Sequence, residues 1–337
     1  MSVAARTARP RRGSGPEAAQ VRSGARVRVR VPATSANLGP GFDSLGLALG
    51  LHDEIEVEVT GSGVEVQVSG EGAGTLPCDE RHLVVRALRA GFAAAGVTPP
   101  GLRLAARNTI PHRRGLGSSA AAVIGGLLAA RGCLTDPGML DDDAVLGLAT
   151  RFEGHPDNAA AALLGGFTVS WCEEAGPQAP GHPRAVSLTP HLDLVAVICI
   201  PGRELATATA RAMLPDVVPH ADAAFNAGRS ALLVEAMTRR PDLLLPATED
   251  RLHQDHRGPA MPNSAALVRR LREAGAAAVI SGAGPSVLVL GAGDEVAATV
   301  GIAAAEAAAA DGVEWNTVRL NIDTRGAQLT TEGVRHR

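Results

Sequence analysis

The chain of 337 residues contains no lysine, so all 32 of its basic side chains are arginine. A Walker-type phosphate loop needs a lysine on the β/γ-phosphates, and a protein-kinase fold needs one on a strand. Schiff-base and pyridoxal phosphate chemistry need a lysine amine. All three are excluded, and any phosphate bound here must be held by backbone N–H groups, hydroxyls, arginine or a metal ion. Tyrosine is also absent and aromatics make up only 2% of the chain, which leaves no stacking platform for single-stranded nucleic acid. A formal charge of −3 gives no electrostatic footing for a nucleic-acid partner. The four cysteines, Cys78, Cys133, Cys172 and Cys199, lack metal-ligand spacing and read as reduced structural thiols. No uninterrupted run of 18 apolar residues occurs and no secretory segment is recognisable, so the expectation is a cytoplasmic protein with no membrane partner.

What is present is a globular composition, 45% apolar, over a length that suits two domains or one large one. Missing lysine together with abundant Ala, Arg and Gly resembles the product of a GC-rich, actinobacterial-like genome. Residues 1–25 are rich in Arg, Pro, Ser and Gly, with Glu17 their only acid; they read as a disordered basic extension outside the fold.

Val27–Val31 alternates as a half-buried strand that Pro32 stops, and a Gly/Pro/Asn-rich loop over Ala33–Phe42 follows. Ile55–Val59 and Val64–Val68 flank Thr60–Gly63 and read as a hairpin. Helices are expected over His82–Ala95, Ala120–Arg131, Asp141–Arg151, 204–213, 220–239, 263–274 and Val296–Ala309. Strands are expected over Leu102–Ala106, Phe167–Trp171, Leu194–Ile200, Ala277–Ile280, Ser286–Leu290 and Thr317–Ile322, with a loop over 175–183. Strands and helices mix without a regular βα repeat, which argues for an α+β fold and against a doubly wound sheet.

The most informative stretch is Pro111-His112-Arg113-Arg114-Gly115-Leu116-Gly117-Ser118-Ser119-Ala120-Ala121. It joins a strand-like run to a small-residue helix. A helix N-terminus offers free N–H groups and the positive end of the helix dipole. Glycine lets an anion approach that backbone closely, so the stretch reads as a phosphate cradle. Its plain alternative is a Gly-Ser cap with nothing bound.

Two other glycine-rich segments accompany it: Pro32-Ala-Thr-Ser-Ala-Asn-Leu-Gly-Pro-Gly-Phe-Asp43 and Ser281-Gly-Ala-Gly-Pro-Ser286. In order and spacing the three resemble the motifs of the GHMP small-molecule kinases. The first segment, with Glu153-Gly-His-Pro-Asp-Asn158 and Gly165-Gly166, resembles the homoserine kinase branch of that family. The resemblance covers about residues 26–325. It implies an N-terminal ATP-binding domain over 26–188, like the second domain of ribosomal protein S5. It implies a ferredoxin-like C-terminal domain over 189–325 and a tail over 326–337. The implied activity is phosphorylation of the side-chain hydroxyl of L-homoserine to O-phospho-L-homoserine in threonine biosynthesis, by a cytoplasmic homodimer using ATP and Mg²⁺. A GHMP kinase of mevalonate or sugar type, or a catalytically inactive nucleotide-binding regulator, are the other readings.

The resemblance also implies roles for individual residues. Pro111 to Ala121 would wrap the ATP phosphates. Ser119 and Glu153 would hold Mg²⁺ through hard oxygens, as that ion prefers. Asn37 and Asp43 would meet the amino acid, Asp43 through the ammonium group, although an Asx turn in a Gly/Pro loop equally explains Asn37. His155 and Asn158 would line the pocket near the substrate hydroxyl, with Asp157 as a candidate base or else a capping carboxylate. Arg211 and Arg257 match arginines that hold an α-carboxylate, a task that suits the guanidinium fork. His82 stands where relatives often place Asn close to the adenine.

Overall fold

The computed structural model describes residues 20–174, 181–293 and 295–332. Its N-terminal part runs β1 (Arg26–Asn37), β2 (Gly41–Thr60), β3 (Gly63–Gly70), α1 (Leu83–Ala94), β4 (Gly101–Asn108), α2 (Ser118–Cys133), α3 (Asp142–Glu153), α4 (Asp157–Leu164), β5 (Phe167–Glu173) and β6 (His182–Leu188). Then come β7 (Leu194–Pro201), α5 (Thr207–Arg211), α6 (His220–Thr238), α7 (Leu244–Ala247), α8 (Gln254–Arg257), α9 (Pro262–Glu273), β8 (Ala277–Ile280), β9 (Val287–Ala292), α10 (Glu295–Asp311), β10 (Trp315–Leu320) and β11 (Gln328–Glu332). Two sheets result, and with them the α+β, two-domain architecture. One has the order β11-β1-β2-β4-β3, with the β5–β6 hairpin joined to β2. The other is a four-stranded antiparallel sheet in the order β10-β7-β9-β8, the ferredoxin-like arrangement.

The strict alternation of β1 has a direct consequence. Val27, Val29 and Val31 point into the core, while Arg26, Arg28 and Arg30 face water. Register sets the three arginines opposite Glu58, Glu56 and Glu54 of β2. Arg103 of β4 then pairs with Glu58 at 2.9 Å and with Glu65 of β3 at 3.0 Å. The open face of the sheet is thus a ladder of alternating charge, which fixes register more than it adds stability. Helix α2 covers the inner face and is buried nearly all round, which explains its unbroken run of small apolar residues. A Cβ on Gly125 would come within 2.2 Å of Ile55 on the sheet, and one on Gly126 within 2.5 Å of the Val84 carbonyl on α1, so glycine sets both distances.

Several expectations need correction. Pro32 does not stop β1; the strand continues to Asn37 across a register shift between Pro32 and Ala33, where a missing N–H is tolerated. The expected loop over Ala33–Phe42 is therefore the end of β1, a tight turn and the start of β2. The expected hairpin of Ile55–Val59 with Val64–Val68 does not form. β4 lies between the two strands, antiparallel to β2 and parallel to β3, because its alternating apolar face completes the sheet on both sides. The helix expected over 204–213 is only the short α5. In the loop expected over 175–183, residues 175–180 lie outside the described residues, while His182 and Pro183 belong to β6. The tail expected over 326–337 contains β11, which pairs antiparallel with β1, so the chain ends its described course in the first sheet. Of the extension expected over 1–25, residues 1–19 lie outside the described residues. Val21 bridges Leu134 and Ala25 is buried, so its inner end belongs to the fold. Among the described residues no helix is long and apolar enough to cross a membrane.

Candidate active site

A cleft of about 270 Å³ opens where both domains meet the N-terminus of α2. The β1–β2 turn, the loop before α2, the α3–α4 junction, α5, α8 and the β8–β9 turn all reach it.

The loop before α2 is fixed at every step. Asp53 accepts the backbone N–H groups of Thr109 and Ile110 at 2.7 and 2.9 Å; burial pushes its carboxyl up, and those two bonds pull it back. The Leu205 N–H donates to the Arg113 carbonyl at 3.1 Å, and the Thr34 N–H to the Leu116 carbonyl at 3.0 Å. Ser281 Oγ donates to the Gly115 carbonyl at 2.6 Å and shares a 2.9 Å bond with Ser35 Oγ. Gly117 caps α2 in a left-handed conformation with φ 70° and no side-chain cap, leaving the first-turn N–H groups of α2 toward the cleft. The basic side chains of the loop behave differently from expectation. The Arg114 guanidinium donates to the carbonyls of Pro201 and Gly202, each at 2.7 Å, and of His112 at 2.9 Å, so it clamps the loop to the end of β7. Arg113 is exposed at the rim. The His112, Ala120 and Ala121 side chains do not line the cleft; the two alanines are wholly buried in the packing of α2.

Ser119 and Glu153 meet although 34 positions apart, the hydroxyl donating to Oε1 at 2.6 Å. Burial pushes the Glu153 carboxyl above the ordinary range, against the pull of Ser119 and His155. Two hard oxygens on a half-buried carboxylate beside a helix N-terminus fit a magnesium ion shared with a polyphosphate. Asp43, His155 and Asp157 also bring ligand atoms within 4.8 Å of one another. Both Asp43 oxygens are engaged by Arg211, and Oδ1 of Asp157 by His155.

Glu153 closes α3, Gly154 turns the chain with φ 86°, and Asp157 opens α4, which packs His155, Asp157 and Asn158 into one corner. Asp157 is 1% exposed, and its Oδ1 accepts from His155 Nδ1 at 2.5 Å and from the Asn158 N–H at 2.7 Å. Asn158 Oδ1 in turn accepts the Thr34 hydroxyl at 2.8 Å. Burial pulls the His155 imidazole down, but the bond and charge of Asp157, helped by Asp43, overcome this and lift it above the ordinary 6.5. Because the folded-state value is raised, this pair stabilises the fold fully below the ordinary histidine pKa. The contribution fades as pH rises through the raised one. NMR titration of His155 should therefore give a midpoint above that of an ordinary histidine. In Asp157→Asn, where burial and Arg211 remain, it should fall below; an unmoved midpoint would remove Asp157 as the cause.

On the opposite wall Arg211 pairs with Asp43 through two bonds of 2.7 and 3.2 Å. The Asn37 side chain is largely spent on the turn, Nδ2 donating to the Gly282 carbonyl at 2.9 Å and Oδ1 accepting the Asp43 N–H at 3.0 Å. These bonds are not an Asx turn, which would reach the N–H two residues on, but they give the side chain a structural part, with an edge of the amide still at the cleft. Arg257, buried in α8, reaches the same wall. Its Nη1 donates to the Gly282 carbonyl, while its buried Nε has no partner. The cleft thus gathers Asn37, Asp43, Ser119, Glu153, His155, Asp157, Asn158, Arg211 and Arg257 from five segments. Sequence reasoning missed Thr34, Ser35 and Thr207. The first two are fully buried hydroxyls inside a strand, and polar residues at core positions are the signal that would have found them.

Comparison with known proteins identifies the family and the fold. The model of the GHMP kinases N terminal domain matches residues 82–166, and that of the GHMP kinases C terminal domain matches residues 223–308. The homoserine kinase of Streptomyces avermitilis is 56% identical over 306 residues, covering 90% of this chain and 96% of that protein. The homoserine kinase of Clavibacter michiganensis subsp. michiganensis is 50% identical over 314 residues, covering 92% and 96%. Among solved structures, that of homoserine kinase from Cytophaga hutchinsonii superposes with a TM-score of 0.77 at 25% identity, covering 95% of this chain and all of that one. Both domain models, the near full-length identity and the shared fold lead to one conclusion: the chain belongs to the homoserine kinase family of the GHMP kinases.

Proposed function

We propose that this chain transfers the γ-phosphoryl group of ATP to the side-chain hydroxyl of L-homoserine, giving O-phospho-L-homoserine and ADP. The observation that carries the reading is the charge arrangement of the cleft wall. Asp43 and Arg211 pair with each other, and Arg257, whose Nε has no partner, lines the same cleft. A zwitterionic α-amino acid presents a cation to Asp43 and a planar anion to the two guanidinium groups, so it exchanges one ion pair for two. The carboxylate of mevalonate would draw an arginine away from Asp43 and bring no cation in return, and galactose would leave the Asp43–Arg211 pair as it is and bring no anion to Arg257. Retention of both Ser119 and Glu153 speaks against a regulator without catalysis.

The phosphates would rest on the N–H groups at the start of α2, where the helix dipole favours anions. Ser119 and Glu153 would hold Mg²⁺, which supplies charge neutralisation on the phosphoryl oxygens. Phosphoryl transfer has a loose transition state, so alignment of the hydroxyl and stabilisation of charge do most of the work. The homoserine oxygen forms a bond to the γ-phosphorus as the bond to the β–γ bridging oxygen breaks; the hydroxyl proton passes to a phosphoryl oxygen or to water. Asp157 is committed through its Oδ1 to His155 and Asn158. Its part is to hold His155 and Asn158 toward the substrate.

ADP release from Mg-ATP should be robust with L-homoserine, and at least about a hundred-fold weaker with L-serine, mevalonate or galactose, as expected when buried charges are left unpaired. Preferred turnover of another acceptor would sink the amino-acid reading, while absent turnover with ATP still bound would favour the regulator.

A further inference from the structure

Arg257 is 2% exposed, and beside the Gly282 carbonyl and the Phe42 ring it meets one side-chain hydrogen-bond partner that no part of the reaction uses. His253, 1% exposed, lies one turn earlier. Its Nδ1 is 3.2 Å from Arg257 Nη1, and its Nε2 is 2.8 Å from the carbonyl of Gly39 in the β1–β2 turn. Only one state satisfies both contacts: a neutral ring whose Nδ1 lone pair accepts from the guanidinium and whose Nε2–H donates to Gly39. Burial drives the ring toward that neutral form, with Arg257 adding to the effect and Asp250 opposing it.

The surroundings hold this ring still. Asp250 accepts the backbone N–H groups of Leu252, His253 and Gln254 at 2.9, 3.1 and 2.8 Å. Asn226 joins Asp250 to the Pro40 carbonyl, and Ser230 donates to the same carbonyl at 2.8 Å. Phe42 packs on His253 with ring centroids 5.3 Å apart. The guanidinium groups of Arg257 and Arg211 lie 5.3 and 5.7 Å from the Phe42 centroid. The turn that carries Asn37 and Asp43 is therefore hydrogen-bonded to Arg257 through the His253 imidazole, with Phe42 packed against both side chains.

We propose that His253 is a positioning residue that sets the spacing between the carboxylate-binding arm, Arg257, and the ammonium-binding arm, Asp43. Selectivity for an α-amino acid then depends on a side chain that touches no substrate. The inference rests on the amino-acid reading of the cleft given above.

Steady-state kinetics on the full chain test it. His253→Ala should raise the KM for L-homoserine about ten-fold or more, as expected for losing a bond to a charged group. The KM for ATP and kcat should stay within about two-fold. His253→Gln should recover most of the loss, since its amide can accept from Arg257 and donate toward Gly39. His253→Phe, which keeps the ring packing without the bonds, should not. Arg257→Ala combined with His253→Ala should bind homoserine no worse than Arg257→Ala alone. Equal rescue by Phe and Gln, or a parallel rise in both KM values, would reduce His253 to packing and overturn the proposal. A raised homoserine KM in Arg257→Ala beside an unchanged one in His253→Ala would overturn it while leaving the amino-acid reading intact. An unchanged homoserine KM in Arg257→Ala would instead strike that reading itself. Should His253→Ala fail to fold, the comparison of Gln with Phe decides alone.

Discussion

Gly115→Ala is expected to lower kcat/KM for ATP by about a hundred-fold or more, the effect of moving bound phosphates by about 1 Å. Gly115 adopts φ 71°, where an L-residue is strained by about 1–2 kcal/mol. A Cβ there would sit 2.1 Å from the Ser281 carbonyl oxygen and 3.0 Å from the backbone of Gly284. Those atoms are backbone, so no rotamer change relieves the overlap, and the phosphate loop must part from the β8–β9 turn. The hydroxyl of Ser281 would lose its acceptor on Gly115 at the same time. The loop lies at the surface of the cleft and not in the main core, so the fold should survive. Gly147→Ala is the matched control: that residue lies inside α3 with nothing within 4 Å of a new Cβ, and it should be neutral or slightly stabilising. Activity within about three-fold of the parent in Gly115→Ala would mean that the loop need not hold its place.

Glu153→Gln should cost about a hundred- to a thousand-fold in kcat/KM, in the range seen for removing one preorganised electrostatic group. The amide is isosteric and still accepts from Ser119, so what is lost is the charge that would hold Mg²⁺. The magnesium concentration needed for half-maximal rate should rise with it. Stability should move the other way. Burial raises the Glu153 pKa, so the folded chain binds that proton more tightly than the unfolded one, and ionisation weakens the fold as pH rises through the raised value. Removing the charge removes that cost. In metal-free buffer at neutral pH the variant should therefore melt no lower than the parent, and in saturating magnesium its advantage should vanish. A variant that keeps activity would free Glu153 from the metal. One that melts well below the parent would make it structural.

Much of this site was legible before any coordinates. A loop of Gly115, Gly117, Ser118 and Ser119 between a strand and a small-residue helix announces an anion cradle, because only glycine and hydroxyl residues suit a helix start open to phosphate. The clustering of Glu153, His155 and Asn158 followed from one helix junction within a few residues. The errors came where partners are distant in sequence. Periodicity marked β2 and β3 as strands, but pairing is a matter of register and burial across the sheet, and β4 outcompeted the local hairpin. Strand β11, five residues long, carries too few residues to show a pattern; its place beside β1 is decided by a free sheet edge. Arg114 lies in the loop that the resemblance assigns to phosphate, yet the carbonyls at the end of β7 claim its guanidinium.

By itself the sequence determined the absence of lysine chemistry and a glycine-serine cradle; the metal and amino-acid roles of Ser119, Glu153, Asp43, Arg211 and Arg257 came from the resemblance its motifs carry. It determined also which segments are apolar on one face, because that depends only on the spacing of side chains along a strand or helix. Tertiary structure decided which of these groups are free to act. Asn37 and Arg114 spend their side chains on carbonyls brought close by the fold, up to 245 positions away, and Asp157 commits one oxygen to its neighbours, whereas Arg257 keeps a buried donor without a partner. The physical reason is that a polar group buried by packing must find a partner there, and which partners are within reach is a property of the folded arrangement alone.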